Sequence, residues 1–393
     1  NIVLKQENIS FRYLDIGGDV VMQFIDLHRQ YDVIEAKVNE RIQEILAHKH
    51  FIGGAEVAEL EKRLAEYVGV KHVIACASGT DALTIPLMAY GVKKTDAVFV
   101  PSFTFFASGE SVSLAGGTPV FVDSCRDTFN INPKALEETI EKTLAEGKFA
   151  PKGIIAVDLF GLPADFNEIR RIADKYNLFV LEDAAQGFGG TIGGKKACSF
   201  GDVAGTSFFP AKPLGCYGDG GAIFTNSDEL YAKMKSIHVH GQGSDKYDNI
   251  QIGLNSRLDT IQGAVLIEKL NIFDDELVKR NHVADYYTRE LKDIVETPVV
   301  PEGYGSSWAQ FTIKLKSTEE REKLIKTLND NGIPAMVYYP IPMHKSTAYA
   351  EANEGVVLPE CEKLSKTVMS LPMHPYLTDD ELKKICDVVK SAY

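Results

Sequence analysis

Between Val73 and Asp183 the chain repeats one unit, a short apolar run rich in β-branched residues followed by a turn signal and an amphipathic stretch. The runs are VIACA, AVFVP, PVFVD, GIIAVDLF and LFVLEDAA, and segments such as DALTIPLMAYG and DFNEIRRIADKYN follow them with helical spacing. A strand that is apolar along its whole length, without alternation, must be covered on both faces. The pattern therefore predicts an α/β fold whose mostly parallel sheet is the central layer of a large domain flanked by helices. TSFF and AIFT, on either side of a glycine-rich loop, add two later strand candidates.

From about Asp274 the texture changes to long charged helices, then the strand-like WAQFTIKL and a further helix, EEREKLIKTLNDNG. This mixture predicts a smaller C-terminal α/β domain. The expected division is an N-terminal extension over 1–21, ahead of MQFIDL, a large domain over 22–270 and a small one over 271–393. A length of 393 residues admits such a division.

A formal net charge of −13, spread along the chain, offers no basic stripe for nucleic acid or an anionic membrane. The six cysteines stand far apart with no C-x-x-C, which predicts free thiols in a reducing compartment. His238 and His240 in IHVHG lack a third ligand at metal spacing, so no metal site is expected. Without a membrane-length apolar run or the marks of a signal peptide, the expected location is the cytoplasm.

Three stretches carry possible chemistry. In ASGTDAL a strand ends and a helix begins within Ser78, Gly79 and Thr80, where free amides and the helix dipole favour a phosphate. Alone, this is also an ordinary capped helix start. In LEDAAQGFG an apolar strand runs into Glu182 and Asp183 at the sheet edge where ligands of open α/β sheets bind. Alone, either acid could be a turn cap. In GTSFFPAKPLGCYGDGGAIFTN, Pro210, Pro213 and Gly215 hold Lys212 on an irregular turn, and a desolvated lysine there suits Schiff-base chemistry. Most lone loop lysines are simply solvated. Together, in this order and with Lys212 29 residues after Asp183, the three satisfy what pyridoxal phosphate needs: an anchored phosphate, an acid at the pyridine nitrogen and an amine for the aldehyde.

The motifs ASGTDAL, PSFTFFAS, EDAAQGFG, SFFPAKPLGCYGDGGAIFTN, GLNSRLDTIQGA and YYPIPMH resemble those of the DegT/StrS-type nucleotide-sugar aminotransferases, in family order over nearly all of Met22 to Tyr393. Within that family the SFFPxKPLGCYGDGGA form, MQFIDL and VMSLPMHPYL most resemble the enzymes that aminate UDP-2-acetamido-2-deoxy-3-keto-glucuronate with glutamate as donor.

The resemblance implies a fold-type I pyridoxal-phosphate aminotransferase, with Lys212 as the cofactor-bearing amine and general base and Asp183 at the pyridine nitrogen. It also implies Gln186 near the phenolic oxygen, with Ser78, Gly79, Thr80 and Ser207 around the phosphate. Phe105 takes the position of the stacking ring; on a strand-like PSFTFF, Phe103 would share its face and Phe106 would lie opposite. Asn255 matches an asparagine that reaches the neighbouring subunit's phosphate, which implies a homodimer with shared active sites. Arg257 is the candidate clamp for a uronate or glutamate carboxylate, with an ion pair as the plainer reading. Tyr339 and His344 are expected at the substrate mouth, and Tyr338 departs from the histidine common in relatives.

The family implies a place in surface-polysaccharide synthesis, such as O-antigen. Alternatives are amination of another 3- or 4-keto UDP- or dTDP-sugar, a dehydratase, which Lys212 opposes, and a non-catalytic sensor, which has no need of a poised amine. A dinucleotide enzyme would need G-x-G-x-x-G after an early strand.

Overall fold

The computed structural model describes residues 22–245 and 247–393. The expected extension over 1–21 lies outside the described residues.

Two helices open the described chain, α1 (Leu27–His48), capped by Asp26, and α2 (Ala55–Val68). The repeated unit follows as β1 (His72–Cys76), α3 (Gly79–Ala89), β2 (Asp96–Pro101), α4 (Ala107–Leu114), β3 (Thr118–Val122) and α5 (Pro133–Glu146). It continues through β4 (Ala150–Val157), α6 (Phe166–Tyr176), β5 (Phe179–Asp183), β6 (Val203–Ser207), β7 (Gly221–Thr225) and α7 (Asp228–Ile237). The seven strands form one sheet in the order β1-β7-β6-β5-β4-β2-β3. Only β7 runs against the rest, pairing antiparallel with both β1 and β6. β5 and β7 are buried at every residue, as continuous apolar runs require when helices cover both sides.

A 32-residue helix, α8 (Thr260–Leu291), crosses the point at residue 270 where the sequence placed the small domain. Leu266 and Ile267 pack in the large body's core beside Leu60 and Phe224, whereas Val283, Tyr287 and Leu291 pack in a second core. One rigid rod thus serves both bodies. The second core closes with β8 (Phe311–Lys314), α9 (Thr318–Asp330), α10 (Pro359–Thr367), β9 (Val368–Leu371) and α11 (Asp379–Ser391), β8 and β9 pairing antiparallel.

Between α9 and α10 the chain returns to the large body, where Met343 donates its amide to the Ser102 carbonyl at 2.8 Å and buries its side chain in the main core. That excursion brings YYPIPMH to the C-terminal edge of the sheet. Arg29 on α1 grips Glu381 through two nitrogens at 2.9 and 2.7 Å, tying the first helix to the last.

Candidate active site

Successive residues of a strand face opposite sides, and this separates the two acids at the end of β5. Glu182 is fully buried and accepts the amides of Cys198, Phe200 and Gly201, so it holds a turn. Asp183, 4% exposed, accepts the Ser108 hydroxyl on Oδ2 at 2.7 Å and the Ala185 amide on Oδ1 at 3.2 Å. Burial pushes the Asp183 carboxyl above the usual range, while Ser108, Ala185 and the charge of Lys212 draw it back.

Lys212 sits on the loop between β6 and β7. The loop is closed at its neck, where Phe208 donates to the Gly220 carbonyl at 2.8 Å and Cys216 to the Phe208 carbonyl at 2.7 Å. Within it the Lys212 amide bonds the Phe209 carbonyl at 2.9 Å. Gly215 is required: a Cβ there would lie 2.5 Å from the Pro210 carbonyl oxygen. Burial lowers the proton affinity of the Lys212 amine and Asp183 raises it. Each charge draws the other group back toward its ordinary value.

The cup forms where β1 and β6 end on either side of the start of β7. Ser78 Oγ accepts the Asp81 amide at 3.1 Å, which leaves the amides of Gly79 and Thr80 as donors at the start of α3. A Cβ on Gly79 would lie 2.5 Å from the Ser207 Cβ, so the missing side chain lets the helix start meet Ser207. Ser256 Oγ accepts the Ala77 amide at 3.2 Å, bringing the Asn255–Arg257 segment beside this edge. Asn255 is exposed, its backbone bridged to Val239. Arg257 forms no ion pair among the described residues, and its Nε is buried without a hydrogen-bond partner. Its neighbour His238 is pushed down to about 4 by burial and is neutral at ordinary pH.

Two expectations need correction. Residues 102–106 bend away after β2 and do not continue as a strand, so Phe103 and Phe105 do not share a face. Phe103 is fully buried, whereas Phe105 is 56% exposed; both rings lie 6.2 Å from that of Tyr339. Phe106 packs on the main core against Tyr349, in the same cluster as Phe103. His344 does not line an open mouth. It is fully buried, with Nδ1 2.7 Å from Ser102 Oγ and Nε2 3.2 Å from Glu362 Oε1, pinning the returning loop to the end of β2.

The Tyr339 hydroxyl accepts Gln186 Nε2 at 2.8 Å, while Gln186 Oε1 accepts the Phe160 amide at 2.7 Å. Ser108 escaped the sequence reading, although its place, three residues after Phe105 and inside the first turn of α4, is the signal that could have found it.

A parallel sheet edge that joins an anion cup, a buried acid and a lysine of lowered proton affinity is the frame of a pyridoxal-phosphate enzyme. Residues 32–390 match the DegT/DnrJ/EryC1/StrS aminotransferase family, and the chain belongs to that family. It is 46% identical over 367 residues to the UDP-2-acetamido-2-deoxy-3-oxo-D-glucuronate aminotransferase of Pseudomonas aeruginosa, covering 93% of this chain and 99% of that protein. A crystal structure of a DegT DnrJ EryC1 StrS aminotransferase from Brucella abortus superposes with a TM-score of 0.92 at 50% identity, covering 94% of this chain and 99% of that one. NtdA from Bacillus subtilis with bound cofactor PMP superposes at 0.85 with 31% identity, covering 97% of this chain and 86% of that one.

The protein is a pyridoxal-phosphate aminotransferase. Its residues fit that cofactor: a cup that a Cβ on Gly79 would fill, a buried acid, an amine on a rigid loop, and the exposed ring of Phe105.

Proposed function

We propose that this chain transfers the amino group of glutamate to UDP-2-acetamido-2-deoxy-3-keto-glucuronate, as a cytoplasmic homodimer serving surface-polysaccharide synthesis such as O-antigen. The observation that carries the reading is the buried Asp183 carboxyl, held by the Ser108 hydroxyl and the Ala185 amide on the strand that pairs with β6, from whose end the Lys212 loop springs. The uronate finds support in the extended likeness to the Pseudomonas aeruginosa enzyme and in the unpartnered Arg257 Nε. Exposed Asn255, together with exposed Phe209, Ile250 and Ile252, supports a second copy covering this edge.

Bound in the cup, the cofactor supplies an aldehyde and a protonated ring that draws electrons from the carbon being deprotonated. Asp183, ionised opposite that ring, holds the proton on the nitrogen, and Ser108 keeps its carboxylate aimed. Gly79, Thr80 and Ser207 take the phosphate, Ser78 caps their helix, and Gln186 stands at the phenolic oxygen. Phe105 covers one face of the ring. Lys212 Nζ takes the proton from the glutamate α-carbon in the first half-reaction and returns one to sugar C3 in the second. Arg257 grips the uronate carboxylate with its planar cation, and Tyr339 narrows the substrate's entry beside Gln186.

Holoenzyme mixed with glutamate and a panel of 3- and 4-keto UDP- and dTDP-sugars, with products read by mass, tests this. The expected product is the 3-amino uronate with one equivalent of 2-oxoglutarate. Preferential amination of a neutral 4-keto sugar would move the substrate, and cofactor binding without turnover on any sugar would make the protein a sensor.

A further inference from the structure

Asp158, the residue just past β4, is fully buried and has no part in the chemistry above. β4 and β5 pair in register with Ala156 beside Glu182, so the pleat sends Asp158 and Glu182 to one face and Asp183 to the other. The Asp158 amide donates to the Asp183 carbonyl at 3.0 Å, which joins the two strand ends directly at the ring acid. Its carboxyl reaches under the turn after Asp183. A Cβ on Gly187 would lie 2.3 Å from the Asp158 Cβ and 2.4 Å from its Oδ2, which accounts for the glycine of EDAAQG.

Hydrogen-bond accounting distinguishes the two buried acids. Glu182 accepts three backbone amides, the environment of a stabilised anion. Asp158 accepts one amide, from Ala164 on Oδ1 at 3.1 Å, and its Oδ2 is buried with no hydrogen-bond partner. Both carboxyls are fully buried at the ends of adjacent, paired strands. The titratable groups acting on Asp158 are Glu182 and Asp183, both acids. An ionised Asp158 would place an orphaned charge among them.

We propose that Asp158 is neutral and donates its proton from Oδ2 to Glu182, so that the buried pair carries a single negative charge and Asp158 serves as a positioning residue locking the strand ends that aim Asp183. Burial, and after it the charge of Glu182, hold the Asp158 carboxyl well above the usual range, in keeping with that proton. The proposal rests on the reading of Asp183 as the ring acid.

Infrared spectroscopy of the cofactor-free protein reads the proton without involving that reading. The C=O stretch of a protonated carboxyl should persist to alkaline pH, vanish in Asp158→Asn and survive in Asp183→Asn. Absence of the band, or its persistence in Asp158→Asn, would overturn the shared proton while leaving the assignment of Asp183 untouched.

In the holoenzyme Asp158→Asn should keep kcat within about threefold with an unmoved pH profile, because a carboxamide can both donate to Glu182 and accept the Ala164 amide. Asp158→Ala, which leaves both unpaired, should lose about tenfold or more and move the acid limb of the profile. A loss of about tenfold or more in Asp158→Asn with a shifted profile would mean that Asp158 works as an anion. The Asn variant decides the matter even if the Ala variant fails to fold.

Discussion

Ser108 Oγ donates a 2.7 Å hydrogen bond to Asp183 Oδ2, from the first turn of α4 to the end of β5. The bond opposes the rise that burial imposes on the Asp183 carboxyl, and a hydrogen bond to a charged group contributes about 1.5–3 kcal/mol. Ser108→Ala should therefore cost about ten- to a hundredfold in kcat. Without the bond Asp183 holds its proton to higher pH, so the acid limb of the rate profile should move upward. Ser108→Thr, which keeps the hydroxyl, should stay close to the parent. An unmoved acid limb in the Ala variant would remove Ser108 from the support of Asp183.

Lys212 titrates below an ordinary lysine because it is buried, and Asp183 partly restores its proton affinity. In cofactor-free protein, imine formation with added pyridoxal phosphate should begin at lower pH than for solvent lysine, and Asp183→Asn should lower that midpoint further. Absorbance against pH reads the midpoint. Borohydride trapping and peptide mass should locate the adduct on Lys212 and find none in Lys212→Ala, a variant expected to lack transamination.

The same lowered affinity has a sign in stability. Between the folded and unfolded values of Lys212 the unfolded chain binds more protons, so stability rises with pH through that window. Melting of cofactor-free protein should show this slope, and Lys212→Met should be more stable on the acid side and lose the Lys212 contribution. A slope unchanged in Lys212→Met would assign it to other groups.

Gly79 lets the start of α3 meet Ser207, the added Cβ falling 2.5 Å from the Ser207 Cβ. Gly79→Ala should cost about 1–3 kcal/mol of stability by overpacking and weaken cofactor binding by about tenfold or more. Calorimetric titration with pyridoxal phosphate checks the second effect; an affinity equal to the parent's would place the phosphate elsewhere.

Arg257 separates the sugar reading from a structural one. With its Nε buried and unpartnered in the free chain, Arg257→Ala should reduce kcat/KM on the uronate by about a hundredfold and on the neutral hexose analogue far less. Equal losses on both sugars would exclude a clamp on the sugar carboxylate.

The strands, their order along the chain, and the irregular turn that carries Lys212 were legible in the residues because each rests on local information. A continuous apolar run declares a strand covered on both faces, and a proline-bounded turn declares an irregular loop. The direction of a side chain at the end of an element is different, because it depends on what distant segments bring to it. Phe103 turned inward and Phe105 outward once the chain bent after Pro101, and His344 was consumed between Ser102 and Glu362, partners remote or unmarked in sequence. The 32-residue α8 runs across the boundary that composition had suggested, since one helix can bury different stretches in two cores. The Ser108 bond to Asp183 and the burial of Asp158 and Glu182 became visible only with the fold, because burial and hydrogen-bond supply are properties of packed neighbours and not of a residue in its own sequence.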